Sequence, residues 1–109
     1  MDLKTLAGNL GLEVGEFLEL VELFVETATN QIESIKKALQ AEDNEEVARI
    51  AHSLKGAAGN LGFNRIYEMA QAITSWAREK QLAKVSEKIP EVEKEIEKVT
   101  VPLKENNRG

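Results

Sequence analysis

A chain of 109 residues can bury one hydrophobic core and not two, so a single domain over residues 1–109 is expected. Its 19 acidic against 14 basic side chains leave a net charge of −5, the wrong sign for a surface that binds nucleic-acid phosphates, and proteins become the favoured partners. The absence of cysteine and the presence of only one histidine exclude disulfides, Cys/His catalysis and a zinc-type ligand cluster.

At the start, Met1 to Leu10 has no basic region running into an apolar one. No stretch of the chain approaches the roughly 18 apolar residues of a membrane span, so a cytoplasmic chain without membrane contact is expected. Leu3, Leu6 and Ala7 suggest a short opening helix. From Val14 to Leu39, apolar residues recur at steps of three and four (Phe17, Leu18, Val21, Val25, Ala28, Ile32, Ile35), which predicts a long amphipathic helix ending near Glu42. Leu12, Leu20 and Leu23 lie off that stripe, and Leu3 and Leu6 of the opening helix are expected to cover at least half of the surface they make. Asp43 followed by Glu46 resembles a capping box, and Val47, Ile50, Ala51, Leu54, Ala58 and Leu61 then form a second stripe that stops at Gly62. Asn64 is expected to cap a third helix with the stripe Ile66, Met69, Ala70, Ile73, Trp76 and Ala77. The last stripe, Leu82, Val85, Ile89, Val92, Ile96, Val99 and Leu103, continues through Pro90 and predicts one helix bent at that proline. Four stripes joined by short loops predict an all-α fold, an antiparallel four-helix bundle with a short additional N-terminal helix.

The single histidine, His52, falls on the second long helix. At about 100° per residue it lies roughly 140° from the centre of the apolar stripe, which places it in solvent. Ala48, Gly56 and Gly59 share its face and leave the imidazole above a floor cleared of side chains. Two glycines inside a helix cost about 1 kcal/mol each relative to alanine, and approach by something outside the bundle would offset that cost. Lys55, one turn on, can reach a group attached to the ring. No acid occurs between Glu46 and Glu68, a window that holds Arg49, His52, Lys55 and Arg65, the local sign a bound dianion needs.

The run Ala51-His52-Ser53-Leu54-Lys55-Gly56-Ala57-Ala58, continuing through Leu61-Gly62-Phe63 to Arg65-Ile66, resembles the signature of histidine-containing phosphotransfer (HPt) domains. The resemblance implies a phosphorelay intermediate that accepts a phosphoryl group on His52 and exchanges it with a receiver-domain aspartate in two-component signalling. By the same resemblance Lys55 neutralises the phosphate and Gly56 clears the path for the partner. Gly59, Arg49 and Arg65 would support them. Many family members carry Gln or Glu where this chain has Thr74, a position from which the imidazole can be oriented, and Gln71 one turn earlier is the candidate substitute. The implied partners are response-regulator receiver domains, a histidine kinase, or both, with the chain itself a monomer.

The chemistry suits these parts. A neutral imidazole offers a nitrogen lone pair to phosphorus without a general base, and phosphoryl transfer depends mainly on alignment and charge neutralisation. The chain shows neither a nucleotide-binding glycine loop nor an acidic Mg²⁺ pocket, so it is expected to be a phosphocarrier and not a kinase. It is expected to bind no cofactor, with Mg²⁺ supplied on the receiver. The rival reading is a helical protein-interaction module without phosphotransfer, which predicts no acid-labile, base-stable phosphate on the chain. An enzyme working through a phosphohistidine intermediate would need further catalytic groups, and neither a second histidine nor a phosphate loop is present.

Overall fold

The computed structural model describes residues 2–107, with side chains through Leu103. The four apolar stripes and the short opening segment become five helices: α1 (Leu3–Asn9), α2 (Val14–Gln40), α3 (Asn44–Leu61), α4 (Asn64–Arg78) and α5 (Leu82–Asn107). Loops of two to four residues join them, so successive long helices run in opposite directions. α2 packs on α3 and α5, α4 packs on the same two, and α1 lies against α2. The result is the expected all-α, antiparallel four-helix bundle with a short additional helix at its start. Each long helix turns its stripe inward. Phe17, Val21, Ile32, Ile35, Val47, Leu54, Ile66, Ile73, Val85 and Val92 are almost completely buried. Fully burying one such side chain is worth about 1.5–3 kcal/mol, far more than any helix propensity at stake.

The helix ends show where local pattern and packing diverge. Asp43 caps α3 by accepting the Glu46 N–H at 3.1 Å. The Glu46 side chain turns to Arg49, so only half of the expected capping box forms. A full box occurs instead at the start of α2, where Glu13 and Glu16 each accept the other's backbone N–H. Asn64 is not a cap. Phe63 takes that position with no side-chain hydrogen bond, because its buried ring is held 6.3 Å from Phe17 and 5.2 Å from Phe24.

Four C-termini close alike, with Leu12 N–H on Ala7, Asp43 on Ala38, Phe63 on Ala58 and Gln81 on Trp76. This closure needs one residue in the left-handed region. Gly11 and Gly62 supply it for α1 and α3, while Glu42 and Lys80 do so for α2 and α4 at φ 53° and 61°.

α5 is one helix through both Pro90 and Pro102. Pro90 is exposed, and Ile89 and Val92 beside it remain in the core. α1 does not cover the leucines of α2. Leu20 and Leu23 stay 41% and 60% exposed, while Leu6 reaches the end of α3, close to where a side chain on Gly62 would stand. The opening helix thus seals the end of the bundle and leaves its flank open.

Candidate functional site

α3 is anchored by Val47, Ile50, Ala51, Leu54 and Ala58, all buried. His52 follows the fully buried Ala51 and is therefore turned outward, exposed near the middle of an 18-residue helix. A side chain on a packed helix is held more rigidly than one on a loop, which suits a reaction that depends on alignment. No side chain hydrogen-bonds the imidazole among the described residues.

The two glycines of the face have different surroundings. A Cβ on Gly56 would meet nothing within 4 Å, so the floor one turn from His52 is open to an approaching surface. A Cβ on Gly59 would stand 3.1 Å from Cδ2 of Tyr67, so Gly59 admits the Tyr67 ring against α3 and clears nothing for a partner. That ring in turn lies 5.9 Å from the Lys55 ammonium, an attraction between cation and aromatic face that holds Lys55 on the same side of α3. Tyr67 is a site residue that the single-helix view misses. Its signal was the hairpin: a two-residue turn at Gly62–Phe63 brings Tyr67 back alongside Gly59.

The remaining expected residues divide. Arg49 lines an open cleft of about 530 Å³ together with His52. Its guanidinium is engaged by Glu46, and that contact holds the Glu46 carboxyl below the usual carboxylate range. Arg65 is not brought to His52: it faces α5, 3.6 Å from Glu95, beyond the other end of α3. Thr74 is buried and donates its hydroxyl hydrogen to the Ala70 carbonyl at 2.8 Å, so that proton is not available to the imidazole. Gln71 is exposed on α4 and makes no hydrogen bond to the ring. Ala48, placed by the helical wheel on the open face, is buried. In place of Arg65, the structure sets Arg78, the last residue of α4, and Lys80, in the turn after it, on the wall of the His52 cleft. On the other flank of α3 an apolar cleft runs along Leu10, Leu12, Leu20, Leu23 and Ala57. Among the described residues no group of three or more His, Cys, Asp or Glu side chains is placed to hold a metal ion, and no helix is long and apolar enough to cross a membrane.

Beside this outward histidine, its neighbouring lysine and the open glycine stands a match over most of the chain: the family model of the Hpt domain aligns with residues 19–100. The chain belongs to the Hpt domain family. Hpt domains are phosphocarriers without kinase activity, and this one is a histidine phosphotransfer intermediate of two-component relays, in which histidine kinases and receiver domains are the interacting proteins. Among solved structures it is similar to the crystal structure of histidine-containing phosphotransfer protein B (HptB) from Pseudomonas aeruginosa PAO1. The TM-score is 0.85 at 26% identity, over 99% of this chain and 94% of that one. No curated protein matches the sequence of this Hpt domain.

Proposed function

We propose that His52 is the phosphoacceptor of this Hpt domain, that Lys55 neutralises the phosphoryl group, and that Gly56 admits the receiver's aspartate. The observation that carries this is the pairing of an exposed imidazole on a buried-backed helix with open space over Gly56. The imidazole lone pair attacks phosphorus in line as the bond to the aspartyl oxygen breaks. The carboxylate leaves, the ring nitrogen forms the phosphoramidate bond, and the ring's other nitrogen gives its proton to solvent. Reversal returns the group to a second aspartate. Lys55 supplies one cation, and Mg²⁺ enters with the receiver. The apolar flank at Leu20 and Leu23 supports a protein partner as the docking body. We place the domain in the cytoplasm as a monomer that docks one receiver at a time.

The test is to mix the chain with phosphorylated receiver domains and follow label onto it. The label should be acid-labile and base-stable, and His52→Gln should abolish it while leaving the thermal unfolding curve unchanged, because the exposed side chain adds little to the core. Label retained by the Gln variant would move the site elsewhere.

A further inference from the structure

At about 100° per residue, Lys55 stands about 60° to one side of His52 on α3 and Gly56 about 40° to the other. Lys55 is on the side of α4, and Gly56 is on the side away from it. A lysine on an open helix face samples many rotamers, and each carries its ammonium to a different place. Tyr67 limits them here, because its ring face draws the ammonium to 5.9 Å from the ring centre. Other cations of the bundle are held by acids: Arg49 by Glu46, and Lys88, equally 5.9 Å from the Trp76 ring, by Glu91 at 2.8 Å. Lys55 forms no salt bridge among the described residues. A carboxylate would hold it more firmly but would cancel its charge and repel a phosphoryl group, whereas an aromatic face holds it with the charge left whole. Building on the assignment of His52 and Lys55, we propose that Tyr67 is a positioning residue for phosphoryl transfer. Its ring keeps the uncancelled Lys55 ammonium on the α4 side of the imidazole, where it meets the phosphoryl oxygens and leaves the approach over Gly56 clear.

The ring can stand there because of Gly59. A Cβ at that position would lie 3.1 Å from Cδ2 and 3.4 Å from Cε2 of Tyr67. The cost of a glycine one turn past Lys55 is offset by the ring it admits, so Gly59 and Tyr67 form one device built across two helices. Tyr67 also packs against the core, so loss of packing has to be separated from loss of the hold on Lys55. A role exerted through Lys55 vanishes once Lys55 is removed, and a role exerted through packing does not.

The test is a cycle of variants labelled with phosphoramidate, a small donor, and in parallel with a phosphorylated receiver. The nitrogen–phosphorus bond of phosphoramidate breaks as the imidazole nitrogen bonds to phosphorus, and the ammonia that leaves takes up the proton the ring gives up. Tyr67→Leu and Tyr67→Met remove the aromatic face and should label His52 about two- to fivefold more slowly than the parent. Tyr67→Phe keeps the face and should label at the parent rate. In a Lys55→Ala background, itself slower, neither Tyr67→Leu nor Tyr67→Met should slow labelling further. In NMR spectra the Cε protons of Lys55 should be shifted upfield by the ring in the parent and in Tyr67→Phe, and not in Tyr67→Leu. Parent-rate labelling of both ring-deleting variants overturns the proposal, as does an equal slowing with and without Lys55, because the ring would then act through packing alone. A parent spectrum without the upfield shift overturns it too. If Lys55→Ala labels at the parent rate, the assignment of Lys55 fails and that of Tyr67 with it. If neither donor labels the parent, the assignment of His52 fails, and both others fall.

Discussion

A methyl group added at Gly56 meets open space, whereas the same group at Gly59 presses on Tyr67. Substitution by Gln at each should therefore have opposite consequences. Gly56→Gln should leave stability unchanged or raise it by up to about 1 kcal/mol, through helix propensity and a less mobile unfolded chain. The same variant should slow transfer to a receiver by up to about 100-fold, because the added side chain stands where the partner must come within in-line distance. Gly59→Gln should lower stability by about 1–3 kcal/mol as the crowded interface gives way. A urea melt paired with a rapid-quench transfer assay reads both. A substantial loss of stability in Gly56→Gln would make that glycine a packing residue, and unaltered transfer would mean that no partner crosses this face. His52, Lys55 and Gly56 were legible because their positions follow from one helix and its stripe. The surroundings of Gly59, Ala48 and Arg65 were not legible because they come from other helices: Tyr67 stands against Gly59, packing buries Ala48, and Glu95 of α5 draws Arg65 away.

At the scale of the helix, α5 sets an interior proline against a regular stripe. Pro90 lacks the N–H of an interior helical turn and costs about 3 kcal/mol there. Burial of Val85, Ile89, Val92, Ile96 and Val99 outweighs this several times over, so one helix forms. Pro90→Ala should then raise unfolding free energy by about 1–3 kcal/mol in a denaturant melt. Transfer rates should stay as they are, because α5 packs mainly on α2 and α4 and not on the helix that carries His52. A melt midpoint that did not rise would show that the surrounding helices already accommodate the missing bond. The same dominance of packing explains which boundaries could be predicted. The stop of α3 at Gly62 was legible because a left-handed residue is needed there and glycine is the residue that adopts it freely. The start of α4 was not, because Phe63 is positioned by the rings of Phe17 and Phe24, more than 35 residues away in sequence. The sequence does not single out Arg78 and Lys80, for a related reason. Their relation to His52 exists only after α4 has folded back along α3.

For the molecule as a whole, one imidazole on one open face has to serve every partner. A donor receiver and an acceptor receiver that both approach across Gly56 cannot be bound together. Raising the concentration of an unphosphorylated donor should therefore raise the apparent KM for the acceptor and leave kcat unchanged. A fall in kcat with constant KM would place the two partners on separate surfaces. The openness that makes this exchange possible has a second consequence. His52 stands on the outside of a packed helix, with solvent above Gly56, so between visits the phosphoryl group is not enclosed by the domain. How long the domain remembers a signal then depends on the reactivity of a nitrogen–phosphorus bond that faces water, so an open face of this kind favours conducting the signal over storing it.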